Sequence, residues 1–214
     1  MSYPYSYSSI KTYEECPAKY KFSRILRLPQ PSGPAAERGT LIHAEIEEAL
    51  NGGLVLLSAD VEHLANSIEV WRKSGAQSEL EFAFDKHWHE VSYKSDSAIF
   101  RGIIDLYMEH DDQAVVIDFK TGKERDYQDQ VKVYSAAILA TKPHINSVRN
   151  IIEFIDQKKT KEYVPVRREN LSELKSLLIG RLMAVELDKI YAPNPNQFCR
   201  WCHYRKDNGG PCKW

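Results

Sequence analysis

A chain of 214 residues has the length of one ordinary domain. Its 43% hydrophobic and 28% charged residues exclude a disordered or fibrous chain and fit a soluble globular one. The formal charge of −1 gives no bulk electrostatic pull towards nucleic acid. The charge is uneven, however. Residues 1–110 carry 11 Lys/Arg against 16 Asp/Glu, and residues 111–214 carry 18 against 14. The basic share gathers at Lys158, Lys159, Lys161, Arg167 and Arg168, and again at Arg200, Arg205, Lys206 and Lys213. This is a candidate phosphate-facing side, with a solvated face as the bland alternative. No apolar run approaches bilayer-spanning length, and the start of the chain lacks the charged and apolar regions of a signal peptide. A cytoplasmic protein without membrane association is expected.

In chain order, Ser8 or Ser9 reads as an N-cap, and the helix behind it carries Tyr13, Cys16 and Tyr20. Pro17 disturbs that helix, so Cys16 lies near a kink. A Pro-rich connector spans Pro29 to Pro34. The next helix is predicted to start at Thr40, to place His43 near its first turn, and to end at Asn51-Gly52-Gly53. Residues 60–72 have the pattern of a second amphipathic helix.

The period then changes from helical to alternating. Glu79–Phe84, part of His87–Val91, Ile99–Met108 and Ala114–Lys120 read as a four-stranded meander, with Asp111-Asp112-Gln113 as a turn. His87 and His89 share a face but lack a clear third ligand, and read as exposed polar positions. The central stretch is Val115-Val116-Ile117-Asp118-Phe119-Lys120, closed by Thr121-Gly122. Alternation puts Asp118 and Lys120 on one face at the end of a buried strand. Asp-x-Lys alone is a common surface ion pair. The upstream Gly102-Ile103-Ile104-Asp105 changes the weighting, because neighbouring strands would bring Asp105 towards Asp118. Two carboxylates so close are unfavourable without a cation between them.

A helix over Tyr127–Ala140 puts Gln130 and Tyr134 on one face. Strands follow at Val148–Ile155 and Glu162–Val166, then a long helix from Asn170 or Ser172 to about Ile190. Tyr191–Gln197 is a linker, and the tail beyond it is too short and polar for its own core. That tail holds Cys199, Cys202 and Cys212, with metal-ligand spacing in Cys199-x-x-Cys202. Nothing signals secretion, so a metal site is favoured over disulfides. The fourth ligand is either Cys16, which ties the two ends of the chain together, or His203, which gives a Cys₃His structural zinc site.

In order, Gly39-x-x-x-His43, Gly102-Ile103-Ile104-Asp105, Asp118-Phe119-Lys120, Gln130-x-x-x-Tyr134 and the split cysteine set span nearly the whole chain. This set resembles the RecB-type nucleases of the PD-(D/E)XK superfamily. It is most similar to the iron–sulfur branch, which includes the CRISPR-associated RecB-like exonucleases and the AddB nuclease domain. The resemblance implies an α/β fold, a restriction-endonuclease-like core with a central mixed β-sheet flanked by α-helices. A single nuclease domain would comprise an N-terminal segment, 1–36, with one cluster cysteine, a core, 37–190, and a cluster-binding tail, 191–214. It further implies a Mg²⁺- or Mn²⁺-dependent exonuclease acting on DNA, on single strands or ends, in recombination, repair or replication. His43, Asp105, Asp118 and the Phe119 carbonyl would ligate the metal, with Glu79 as a further carboxylate and Glu81 its neighbouring candidate. Lys120 would activate water, and Gln130 and Tyr134 would hold the DNA backbone. Cys16, Cys199, Cys202 and Cys212 would hold a 4Fe–4S cluster, with zinc as the alternative. Nine residues separate Cys202 from Cys212, more than in many relatives. No helicase phosphate-binding loop is present, so a helicase or recombination partner would supply any motor. A structure-specific endonuclease and a non-catalytic DNA-binding module are the rival readings.

Overall fold

The computed structural model describes residues 4–53 and 56–214. Helix α1 (Tyr7–Glu15) is capped by Ser6, whose hydroxyl accepts from the Ser9 N–H while Ser9 Oγ accepts from the Ser6 N–H. The cap therefore lies before Ser8 and Ser9, because the pair of serines three apart satisfies two backbone donors at once. Pro17 ends α1 outright. Cys16 is extended, with φ −162°, and Pro17 opens a separate short helix α2 (Pro17–Tyr20). Helix α3 (Pro34–Leu50) begins before Thr40, at a proline whose fixed φ suits a first helical position. Thr40 lies inside it and returns its hydroxyl to the Ala36 carbonyl. Helix α4 (Ala65–Lys73) follows.

Five strands form one sheet in the order β1-β2-β3-β4-β5. Strands β1 (Gln77–Phe84), β2 (Phe100–His110) and β3 (Gln113–Lys120) make an antiparallel meander. Strand β4 (Ser147–Phe154) is parallel to β3, and β5 (Lys159–Arg167) is antiparallel to β4. A parallel step needs a crossover, and α5 (Gln128–Thr141) supplies it. Helix α6 (Leu171–Leu187) completes the core; it stops short of Ile190 because the Asp188 carboxylate accepts the N–H groups of Ile190 and Tyr191. The architecture is a mixed sheet flanked by helices, a restriction-endonuclease-like core.

The meander has three strands, not four. Asp85 accepts the N–H groups of both His87 and His89 at 2.8 Å, which curls the chain into a turn. Trp88 stacks on Phe84 at 4.8 Å within that turn, and only a bridge between Phe84 and Glu90 remains of the expected strand. Neither His87 nor His89 joins a group of three ligands among the described residues.

Alternation along β3 assigns the two faces. Ala114 and Val116 pack with Val133 and Ala137 of α5 and Leu178 and Leu182 of α6. Ile117 and Phe119 pack with Ile42 and Ile46 of α3 and Ile68 and Trp71 of α4. Asp118 and Lys120 therefore belong to the α5 face. Gly102 has a specific cause. It pairs with Phe82, and a Cβ there would meet the Phe82 ring at 2.5 Å. Gly102→Ala is expected to displace that buried ring and to lower stability by about 1–3 kcal/mol. Urea denaturation checks this, and an unshifted midpoint would show that the ring has room to slide.

Candidate active site

The site forms where the β2–β3 ladder ends. Its last pair is Leu106 with Ile117, so Asp105 and Asp118 stand opposite each other on the next rung, where the strands part. With no strand partner there, the Phe119 N–H donates to Asp105 Oδ2 at 2.8 Å. Asp118 is 1% exposed. Gln130 Nε2 donates to its Oδ1 at 2.9 Å, and Lys120 Nζ lies 2.5 Å from its Oδ2. Lys120 and Asp118 thus form an ion pair at the end of the strand.

Helix α5 is pinned so that Gln130 reaches Asp118. Ser135 and Asn150 are both fully buried, and they exchange side-chain hydrogen bonds of 3.1 and 2.8 Å between α5 and β4. A buried polar pair has few satisfied geometries, so it fixes the rotation of the helix on the sheet. One turn before that pin, Gln130 also donates to the Tyr134 hydroxyl at 2.8 Å.

His43 comes from α3 on the opposite face. A carbonyl can only accept, so the 2.9 Å contact to the Phe119 oxygen places the proton on Nε2. Nδ1 then presents a lone pair 3.5 Å from Asp105 Oδ2. Helix α3 is held at this end by Arg38, which bridges Asp60 and Asp156 at 2.9 and 2.8 Å. Asp156 also accepts the Gly122 N–H just after β3. Gly39 permits the approach, since a Cβ there would already meet Thr121 Oγ1 at 3.2 Å.

Glu79 completes the cluster. The β1–β2 register pairs Ser78 with Leu106 and Leu80 with Ile104, and omits Glu79 opposite Asp105. Glu79 has φ +51°, a backbone state that non-glycine residues adopt rarely and at a cost. One ligand atom each from His43, Glu79 and Asp105 lies within 4.8 Å of the other two. Three acceptors converging on one point repel unless a cation lies among them. Two carboxylates and an imidazole suit Mg²⁺ or Mn²⁺. Asp118 stands beside this group with its oxygens turned to Gln130 and Lys120. Glu81 does not join the group among the described residues.

The electrostatics follow from burial. Asp105 is pushed well above the usual carboxylate range by burial and then by Asp118. Burial holds His43 below its ordinary value, so its ring stays neutral. Burial alone would lower Lys120, but Asp118 outweighs it and the ammonium is held above its usual value. Tyr134 is raised by burial and by the two aspartates, and keeps its proton. Two neighbours were not anticipated from the sequence. Glu47 sits one helical turn after His43 and helps to raise Glu79, after burial. Tyr127 presents its ring 5.0 Å from Lys120 Nζ. The i, i+4 spacing of His43 and Glu47 was a visible signal; Tyr127 gave none.

The four cysteines meet at the far end. Cys16, Cys199, Cys202 and Cys212 line one cavity of about 40 Å³, and none is in a disulfide. The backbone N–H groups of Asn194 and Asn196 donate to the Cys16 and Cys199 sulfurs at 3.5 and 3.3 Å. His203 does not line this cavity; it lines another hollow with Trp201 and Arg125. The long Cys202–Cys212 spacing folds as a compact turn. The Cys212 N–H returns to the Tyr204 carbonyl at 2.9 Å, and Gly210 crosses so close that a Cβ would lie 2.2 Å from Tyr204 backbone.

Asp105 gives a pH test. Its folded pKa is raised, so the folded chain binds the extra proton and stability falls as pH rises from the unfolded value of about 4. Without divalent metal, Asp105→Asn should melt higher than wild type, by a margin that grows as pH rises above about 4. Mn²⁺ at about 100 times its dissociation constant should stabilise wild type by about 2.7 kcal/mol and Asp105→Asn much less. Differential scanning calorimetry reads both. Equal melting at all pH values would remove the like-charge account.

A family model described as the PD-(D/E)XK nuclease superfamily matches residues 4–206. A search of curated proteins gives no match. Among solved structures, the chain is similar to a protein of Eubacterium rectale described as an exonuclease, with a TM-score of 0.57 and 14% identity over 94% of this chain and 87% of that one. It is also similar to the protein SSO0001, with a TM-score of 0.49 and 16% identity over 91% and 82%. A looser likeness links it to an alkaline exonuclease of Laribacter hongkongensis, with a TM-score of 0.34 and 10% identity over 86% and 88%. The first likeness supports the fold, and the family model spans almost the whole chain: the chain belongs to the PD-(D/E)XK nuclease superfamily.

Proposed function

We propose that the chain is a metal-dependent DNA exonuclease that hydrolyses phosphodiester bonds. The observation that carries this reading is the convergence of His43, Glu79 and Asp105 beside an Asp118 paired with Lys120. His43, Asp105 and Asp118, with the Phe119 carbonyl and Glu79, would hold Mg²⁺ or Mn²⁺. Such an ion lowers the pKa of a bound water and neutralises non-bridging phosphate oxygens.

The residues of the chain do the rest. Lys120 stays protonated against Asp118, so it can orient an attacking water and offset charge that develops on the phosphate. Tyr134 keeps its hydroxyl proton and can donate to a phosphate oxygen. Gln130 ties Tyr134 to Asp118, and so fixes the distance between the DNA backbone and the carboxylates. The exonuclease reading draws on the description of the similarly folded protein from Eubacterium rectale.

A 4Fe–4S cluster on Cys16, Cys199, Cys202 and Cys212 belongs to the same proposal. The four line one cavity, which supports a shared metal group, with a single zinc as the alternative to the cluster. Its role would be structural. Translocation would need a separate helicase or recombination partner, since these 214 residues hold no phosphate-binding loop.

Digestion of linear and circular single-stranded DNA with Mg²⁺ or Mn²⁺ tests the activity. Wild type should consume only the linear form, and Lys120→Ala should lose about 10²–10⁴ in rate while keeping its fold. Cut circles would make the enzyme an endonuclease, and intact DNA in every lane would leave a binding module. Cys199→Ala, purified without oxygen, should lose the brown colour and the solubility of wild type. A colourless wild type with stoichiometric zinc would replace the cluster by zinc.

A further inference from the structure

Lys120 closes β3, and its ammonium sits at the end of a flexible stem. Asp118 Oδ2 lies 2.5 Å from Nζ. An ammonium is a point charge with rotatable donors, so one carboxylate fixes its distance without fixing its direction. A second attractor is needed to define a position. The Tyr127 ring supplies it, with its centroid 5.0 Å from Nζ. The face of an aromatic ring is its negative part and attracts a cation. The lysine side chain is 20% exposed, so water weakens this attraction only in part.

Tyr127 is itself held by groups that owe nothing to the lysine. It stands at the start of α5, where backbone N–H groups lack helical partners. The Tyr163 hydroxyl, on β5, accepts its N–H at 2.9 Å. Its ring packs on Phe154, with centroids 6.0 Å apart. Phe154 is buried and is the register partner of Lys120 across the β3–β4 ladder. Tyr127 and Tyr163 both pack on the small core of Val131, Ile152 and Phe154. Backbone and ring are thus fixed from β5 and β4, and the ring is presented to the ammonium by a support independent of it.

We propose that Tyr127 is a positioning residue for Lys120: its ring holds the ammonium on Asp118, in the direction in which Lys120 orients water and offsets charge, and Tyr163 sets Tyr127. This rests on the nuclease reading for the role of Lys120 and extends it to two tyrosines that act through the lysine. The ring makes the contact, so the aromatic face is required and the Tyr127 hydroxyl is not. The contribution belongs to the chemical step and not to substrate binding.

Two measurements on the full chain test this. In steady-state digestion of a linear oligo-dT with Mn²⁺, Tyr127→Leu should lower kcat about tenfold and leave KM within about twofold. Tyr127→Phe, which keeps the ring, should match wild type. Tyr163→Phe, which removes only the hydroxyl that holds the Tyr127 amide, should lower kcat by a smaller factor. In a Lys120→Ala background Tyr127→Leu should cost nothing further, because both changes remove one interaction. A merely structural tyrosine would lower the rate equally in either background. The second measurement is NMR with ¹³C-labelled lysine. The ring should shift the Lys120 ε-methylene signal upfield, the signal being identified by its loss in Lys120→Ala. Tyr127→Leu should abolish that shift, and Tyr127→Phe should keep it. Digestion that Tyr127→Leu leaves at the wild-type rate, or an equal loss in the Lys120→Ala background, overturns the proposal and keeps the nuclease. No digestion by wild type, with the lysine signal shifted as described, discards the nuclease and the role with it but keeps the contact.

Discussion

The structure depends on a charge that folding alone leaves unresolved. Asp105 and Asp118 are brought opposite each other at the point where two strands separate, Asp118 buried and Asp105 half-buried, where water screens them poorly. Each neighbour answers part of that repulsion. The Phe119 N–H takes one oxygen of Asp105, Gln130 takes one of Asp118, and Lys120 neutralises the other. What remains is a group of ligand atoms from Asp105, Glu79 and His43 held within 4.8 Å of one another. A fold that only needed stability would replace these with apolar side chains. Their retention, together with a left-handed backbone at Glu79, marks strain held where a function uses it.

That strain is affordable because the surroundings are rigid. The site draws on both faces of the sheet, with His43 from α3 and Gln130 from α5. Each helix is fixed by a contact independent of the reaction. Helix α5 is pinned by the Ser135–Asn150 pair. Helix α3 is held by Arg38 between Asp60 and Asp156. The carboxylate cluster thus sits between two braced helices, and its geometry does not have to come from its own weak contacts.

The sequence made the centre of this arrangement readable. The run Val115–Phe119 is apolar enough to be a buried strand, and period-two alternation put Asp118 and Lys120 together, as they are. Pairing with the Asp105 strand followed from a short turn at 111–113. The tail cysteines were legible as a group that needs a cross-link, with Cys16 or His203 left open as the fourth member, and Cys16 lines one cavity with them. What was not legible depended on side chains reaching backbone. His87–Val91 has strand alternation, yet one carboxylate, Asp85, captures two amides and turns the chain. Ser6 won the first cap over Ser8 and Ser9 through a reciprocal bond with Ser9. The backbone state of Glu79 and the bracing by Arg38 likewise exist only once distant segments meet, so no local pattern could announce them.

The N-terminal segment links the two ends of the molecule in one physical unit. Residues 16–27 supply Cys16 to the sulfur cavity and Tyr20 and Arg24 to a second cavity, which reaches Gln130 and Tyr134. The segment is held from the C-terminal side at several points. Tyr20 stacks on Tyr191 with centroids 6.2 Å apart, the Tyr13 hydroxyl donates to Asp188 at 3.0 Å, and the Tyr204 hydroxyl donates to the Leu28 carbonyl at 3.1 Å. Each of these contacts is weak on its own, and a short helix interrupted at Pro17 cannot hold its own shape. A metal group shared by Cys16 and the tail would close the longest loop in the chain, which is where a cross-link removes the most chain entropy. Cys16 and Tyr20 are four residues apart, so a cross-link at the cysteine cavity would also restrain the segment that carries Tyr20 and Arg24.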